Sequence, residues 1–148
     1  MILLASDHRG YEIKEEIKKY LQEKSLEYKD FGSYSEERVD YPEFAALVAK
    51  EVQKNGENRG ILICGTGMGM SIVANKFRGI RCTLCHDEVT ARFAKSHNNS
   101  NILAIGAENM LPSKAIAIVR VWLATEFDGG RHQERLEEIE NIEKENFK

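Results

Sequence analysis

Gly60-Ile61-Leu62-Ile63-Cys64-Gly65-Thr66-Gly67-Met68-Gly69-Met70-Ser71 decides the fold of this chain. An apolar run too short for a helix, followed at once by alternating glycines, reads as a buried strand turning into a helix. Other apolar runs of similar length stand on either side of it, and strands are expected at Ile2–Ser6, Glu27–Asp30, Gly60–Cys64, Arg81–Cys85 and Ile102–Ile105. Helical spacing recurs between them, at Ile13, Ile17, Tyr20 and Leu21 and at Phe44, Leu47, Val48 and Val52. A third helix is expected from the glycine run to about Lys76, and Val89 and Phe93 mark a fourth. A fifth enters through Pro112 and carries Ala115, Ile116, Val119, Trp122 and Leu123. Strands joined by helical crossovers predict an α/β fold. The expected architecture is a single-domain three-layer α/β/α sandwich over residues 1–148, with a five-stranded parallel, Rossmann- or flavodoxin-like sheet. Gln133 to Lys148 reads as a charged helix with Leu136, Ile139 and Ile142 along one side, suited to packing on its own domain or on a neighbour.

Composition narrows the function classes. With 148 residues, 42% hydrophobic and 30% charged, the chain is an ordinary globular domain. Its net charge of −3 gives no reason to expect nucleic acid or an anionic membrane as partner. The apolar start at Met1–Ala5 is too short for a signal peptide, and no run approaches a membrane span, so a cytoplasmic protein is expected. Cys82 and Cys85 have CxxC spacing, but residues three apart in a strand point to opposite faces. Two buried thiols are therefore expected there, with neither a disulfide nor a metal.

In a parallel sheet the ligand site lies beyond the carboxyl ends of the strands. Asp7-His8-Arg9-Gly10 leaves the first strand, Cys64-Gly65-Thr66-Gly67-Met68-Gly69 the third, and His86-Asp87 the fourth. The glycines let the backbone approach a ligand, with N–H groups facing an anion at a helix start. The same amides favour a thiolate at Cys64, as base or nucleophile. Met70 stands where GxGxxG requires its third glycine, and no Gly-Lys-Ser/Thr follows, so neither the dinucleotide fingerprint nor the nucleotide P-loop is present. No arginine follows the cysteine at the distance a phosphatase loop needs. A tight turn around a buried cysteine, with Met68 and Met70 as core filler, is the bland alternative.

Further along, Arg131 and Arg135 share a helix face after Gly129-Gly130, which suits either a phosphate or a solvated charged surface. His97-Asn98-Asn99-Ser100-Asn101 precedes the fifth strand and so belongs to the opposite edge of the sheet from Cys64. If both serve one substrate, His97 comes from a second chain. Asp40-Tyr41-Pro42 looks like a helix start with Asp40 as cap. Tyr41 suits packing or a hydrogen bond to a hydroxylated ligand.

Taken in order and spacing, Ser6-Asp7-His8, Asp40-Tyr41-Pro42, the Gly60–Gly69 run, Ala74-Asn75-Lys76, Gly79-Ile80-Arg81, His97 to Asn101 and Gly129-Gly130-Arg131-His132 resemble the type B ribose-5-phosphate isomerases. Their family also holds the galactose-6-phosphate isomerase subunits. The resemblance implies interconversion of ribose 5-phosphate and ribulose 5-phosphate without metal or cofactor. It also implies a homodimer or dimer of dimers with active sites shared between subunits. It gives Cys64 the role of proton-transferring base, and His97, assisted by Thr66, that of ring-opening acid. Asp7, Tyr41 and Asn98 would hold sugar hydroxyls, and His8, Arg131 and Arg135 the phosphate. The amides from Gly65 through Gly67 and Met68 to Gly69 would face an enediolate, where the residues alone suggested a phosphate. One position departs from the pattern. Glu108 stands where many relatives carry a phosphate-binding arginine, so that Glu108 turns away, Arg9 or another base compensates, or the substrate differs. The nearest alternatives are the same reaction on allose or galactose 6-phosphate, a sugar-uptake phosphocarrier domain, and a non-catalytic sugar-phosphate-binding module.

Overall fold

The computed structural model describes residues 1–147; the final residue of the expected C-terminal helix, Lys148, lies outside the described residues. Five parallel strands form the sheet: β1 (Ile2–Ser6), β2 (Tyr28–Asp30), β3 (Arg59–Cys64), β4 (Cys82–Leu84) and β5 (Ile102–Gly106). The helices are α1 (Tyr11–Glu23), α2 (Tyr41–Lys54), α3 (Met68–Ala74), α4 (Glu88–Ser96), α5 (Pro112–Ala124) and α6 (Arg131–Asn146).

Alternation along the strands builds two cores. Ile2 and Leu4, Ile61 and Ile63, and Leu103 and Ile105 face α1, α4 and α5, around the fully buried Trp122. Leu3 and Ala5, Leu62 and Cys64, and Ile102 and Ala104 face α2 and α3. A residue period of two sends successive side chains to opposite sides. That period puts Cys64 on the α2/α3 side, and it separates Cys82 from Cys85, each in a different core. Each fully buried Leu or Ile contributes roughly 1.5–3 kcal/mol relative to exposure, so the three central strands carry the fold.

The strand order is β2-β1-β3-β5-β4. The three-layer sandwich is as expected, but the last two strands exchange places relative to the flavodoxin order. Burial explains the exchange. Ile102–Ile105 is wholly buried and needs a strand on each side, whereas β4 has three residues with only Cys82 buried and suits an edge.

Three local expectations need correction. Val89 and Phe93 do mark α4, but both are exposed, and Ala91 and Ala94 form its buried stripe. Met70 is buried as core filler, whereas Met68 is exposed. Asp40 occupies the cap position of α2 without a side-chain cap bond, and the start is set by Pro42 in the first turn. The terminal helix α6 has no buried residue, and Ile139 and Ile142 are exposed. It is tethered by Glu143, which accepts the Gly79 N–H, across a cavity of about 370 Å³.

One ion pair is buried. Lys14 on α1 is fully enclosed and donates to Asp30 Oδ1 at 2.7 Å and to the Ser33 carbonyl; Lys18 reaches Asp30 Oδ2 at 2.8 Å. Burial pushes the Asp30 carboxyl up, but bonds from Lys14, Lys18 and the Gly32 N–H outweigh it and hold it below the usual range. A carboxylate depressed in the folded state stabilises the fold above its ordinary pKa, and that stability is lost as pH falls through the folded value. Asp30→Ala leaves Lys14 buried without its carboxylate and is expected to cost about 3 kcal/mol in urea unfolding. The wild-type advantage over this variant should be constant from pH 7 to 5 and shrink below pH 4.

Candidate active site

A recess of about 540 Å³ opens at the carboxyl end of the sheet, between the loop after β1, the loop before α2 and the turn after β3. Asp7, His8, Tyr41, Cys64, Gly65, Thr66 and Gly69 line it, so one chain brings seven of the expected site residues together. Each is set there by backbone geometry. Asp7 is buried, and its Oδ1 accepts the N–H groups of Arg9 and Gly10 at 3.0 Å each, which fixes the turn into α1. Gly10 is needed in that turn, because a Cβ there would stand 2.4 Å from the Ile63 carbonyl oxygen. His8 Nδ1 lies 3.1 Å from the Val39 carbonyl and 3.2 Å from the Val39 N–H, so this nitrogen is engaged and Nε2 is left for a ligand.

Cys64 ends β3 with its sulfur at the floor of the recess, where Sγ accepts the Gly67 N–H at 3.2 Å. This contact depends on the turn. Gly67 has φ +76, and a Cβ on it would meet Leu84 at 2.6 Å and the Gly106 amide at 2.9 Å. Thr66 Oγ1 accepts the Met68 N–H at 3.2 Å, while the N–H groups of Thr66 and Gly69 have no protein acceptor among the described residues. The Tyr41 ring lies on Gly69, where a Cβ would come within 2.4 Å of Cζ, so the glycine admits the phenol to the recess. The Gly67 amide on the sulfur and the two free amides of the same turn present hydrogen-bond donors that suit an oxyanion in the recess.

The remaining expected residues are elsewhere. His97 caps the end of α4, and the loop it opens meets the amino end of the sheet, where the Gly60 N–H bonds the Asn101 carbonyl. Gly60 and Cys64 are four residues apart on β3, roughly 13 Å at strand rise. His97 stacks on His132, ring centroids 4.2 Å apart and planes 12° from parallel, beside Phe93. Asn98, Arg131 and Arg135 are exposed in the same region, and neither arginine has a carboxylate within salt-bridge distance among the described residues. Desolvation, then the charges of His97, Arg131 and Arg135, hold His132 below the ordinary imidazole range. Ligand atoms of His97, Asp128 and His132 come within 4.8 Å of one another. One ion would have to lie in the plane of both imidazoles, and two stacked, nearly parallel rings offer no such point. The cluster as arranged is a cationic surface and not a metal site.

Arg9, Val39, Arg38 and Asp40 also line the recess. The sequence marks Asp40 only as a cap and Arg9 only as a substitute for a missing base, and it carries no signal for Arg38 or Val39. Val39 is found through its backbone, which no side-chain motif signals. Glu108 is exposed, donates its N–H to the Gly65 carbonyl at 2.9 Å, and borders a small side recess with Arg9, Gly65 and Ala107.

A parallel α/β sandwich with a thiol and unpaired amides at its strand ends defines a protein for small polar substrates, as the crevice rule anticipates. Residues 2–139 match the Ribose/Galactose Isomerase family, and the chain belongs to that family. It is 44% identical over 142 residues to ribose-5-phosphate isomerase B of Escherichia coli, covering 96% of this chain and 95% of that one. A solved ribose-5-phosphate isomerase B from Clostridium thermocellum superposes with a TM-score of 0.94 at 47% identity, over 97% of both chains. The Mycoplasma genitalium enzyme, solved with bound ribulose-5-phosphate, gives 0.94 at 42% identity over 98% of this chain and 97% of that one. Among the described residues no helix is long and apolar enough to cross a membrane.

Burial pushes the Cys82 thiol up to about 12 and raises that of Cys85 as well, so neither provides thiolate near neutrality. Iodoacetamide at pH 7.5 is expected to modify Cys64 at least ~10-fold faster than either, read by peptide mass spectrometry. Equal rates at all three would contradict the geometry of the turn.

Proposed function

We propose that this chain interconverts D-ribose 5-phosphate and D-ribulose 5-phosphate through an enediolate, with Cys64 as the base. The observation that carries the reading is the Cys64 sulfur at the floor of the recess, accepting the Gly67 N–H at 3.2 Å. Its thiolate takes the C2 proton of the open-chain aldose. Electrons move onto the carbonyl oxygen O1, the O2 hydroxyl proton passes to O1, and return of the proton to C1, as O2 becomes the carbonyl oxygen, gives the ketose. Of the amides from Gly65 to Gly69, Gly67 is held by Cys64 Sγ and Met68 by Thr66 Oγ1, and the free amides of Thr66 and Gly69 face the oxygen on which charge develops; such donors, fixed before the reaction, typically contribute 10²–10³-fold. Asp7 keeps Oδ2 free of protein hydrogen bonds and, with Tyr41, holds sugar hydroxyls. His8 offers Nε2 to the phosphate. Chemistry of this kind moves a proton within one substrate and calls for no redox partner.

His97, Asn98, Arg131 and Arg135 act from a second copy of the chain, His97 opening the furanose ring with Thr66 and the arginines meeting the phosphate. Two features support a homodimer with shared sites. These residues are too far from Cys64 to serve the same substrate within one chain. In addition, Met68, Ile72, Leu84, Val89 and Phe93 expose apolar side chains on the elements around edge strand β4. A patch of that kind on a globular protein marks an interface, and α6, unburied in the single chain, extends it. A dimer of dimers is compatible with the same pairing. Reaction in the cytoplasm fits a substrate of central metabolism.

Purified protein is expected to form ribulose 5-phosphate from ribose 5-phosphate in the presence of a chelator. Cys64→Ala should lower kcat by at least ~10²-fold, as for removal of a general base, with an unchanged circular dichroism spectrum. Mixing inactive Cys64→Ala and His97→Ala chains after denaturation and refolding should restore up to about a quarter of wild-type activity, since one of the two sites in each mixed dimer is intact. No recovery with mixed dimers demonstrated by mass spectrometry would refute shared sites. Parallel kcat/KM values for allose 6-phosphate and galactose 6-phosphate test the six-carbon alternative directly.

A further inference from the structure

Arg9 is a cation without a partner. Its guanidinium makes no hydrogen bond to protein among the described residues, and no carboxylate comes within 4.0 Å of it. It is exposed, and it packs beside the glycine turn. The side chain lies along the Gly65 peptide, where a Cβ would be 3.0 Å from Arg9 Cδ and 3.2 Å from Nη1, so glycine at 65 is what lets it lie down. In that position it forms part of the wall of the Cys64 recess, beside Asp7 and His8, and of the side recess bordered by Glu108. A free planar fork of donors, on the same chain as the reacting thiol and at the edge of its recess, matches a phosphate monoester. A sugar phosphate with its carbonyl end at the sulfur carries its dianion at the far end of the chain. The cation that receives it therefore belongs at the rim and not beside Sγ.

We propose that Arg9 is the phosphate-binding arginine supplied by the chain that also supplies Cys64, and that Glu108 across the side recess weakens its hold on the dianion. The proposal rests on the sugar-phosphate reading above and adds a residue to it. Arg9 clamps the phosphate from the Cys64 side, next to His8 Nε2. Glu108, exposed and tied to Gly65 only through its N–H, adds negative charge near the same anion and favours release of product. Arg38 lines the recess too, from the loop before α2, and is the rival cation; the exposed Arg120 of α5, which is not among the lining residues, serves as the control.

The test measures calorimetric binding of inorganic phosphate to the full chain, alongside KM and kcat for ribose 5-phosphate. Arg9→Ala should weaken phosphate binding and raise KM by about 10–100-fold, the loss expected for a charge-assisted hydrogen bond, with kcat within about threefold. Arg9→Lys should recover part of the affinity, and Glu108→Gln should tighten phosphate about threefold. Arg120→Ala, on the exposed side of α5, should leave both constants near wild type. Unchanged phosphate affinity in Arg9→Ala, or the loss appearing in Arg38→Ala instead, overturns the proposal. Because phosphate binding is read without turnover, a wild-type protein that binds phosphate but does not isomerise ribose 5-phosphate would refute the isomerase reading alone.

Discussion

The hydrogen bond from the Gly67 N–H to the Cys64 sulfur is the contact around which the site is organised. It requires that β3 end at Cys64, that the chain reverse within three residues, and that residue 67 adopt a positive φ with no side chain. Those conditions are met by burying Ile61, Leu62 and Ile63 on both faces, which fixes the strand, and by pressing Gly67 against Leu84 and the Gly106 amide. Gly106 is constrained in turn, since a Cβ on it would stand 2.6 Å from the Thr66 carbonyl oxygen. The end of β5 and the turn after β3 are packed against each other with no room for a methyl group. A sulfur in so rigid a cradle is positioned in advance for the proposed proton transfer.

The same packing explains why the proposed site residues fall into two separate groups on one chain. A parallel sheet presents the ends of β1 and β3 at one edge and the entry to β5 at the other, and a strand's length separates them. The stacked His97–His132 pair and the two arginines form a cationic group with no chemistry of its own. The exposed apolar side chains around β4 and along α6 form a surface unsuited to solvent. Both become intelligible if a second copy covers that surface and carries its cationic group to the neighbouring recess.

Much of this was legible in the sequence because it depends on short-range signals. Apolar runs of strand length, helical spacing and glycine alternation located every element, and strand direction alone separated His97 from Cys64. What escaped depends on long-range packing. The inversion of β4 and β5 follows from how completely each strand is buried, which a run such as Arg81–Cys85 does not reveal. Val89 and Phe93 have the spacing of a helix stripe yet face outward, since Ala91 and Ala94 allow α4 to sit close to the sheet. Arg9 can be named from the sequence only as one possible replacement for the base missing at Glu108, because its place beside Gly65, 56 residues further along, depends on a backbone contact that no motif signals.

The central claim is that a proton, carried by the Cys64 sulfur, moves between C2 and C1 of the sugar. The most direct measurement is the isotopic content of ribulose 5-phosphate formed in deuterium oxide. The account predicts deuterium at C1 with the wild-type protein and, with Cys64→Ala, a rate of deuterium incorporation at least ~10²-fold lower. Complete transfer of the C2 hydrogen to C1 without exchange, at a rate the alanine substitution does not change, would contradict it.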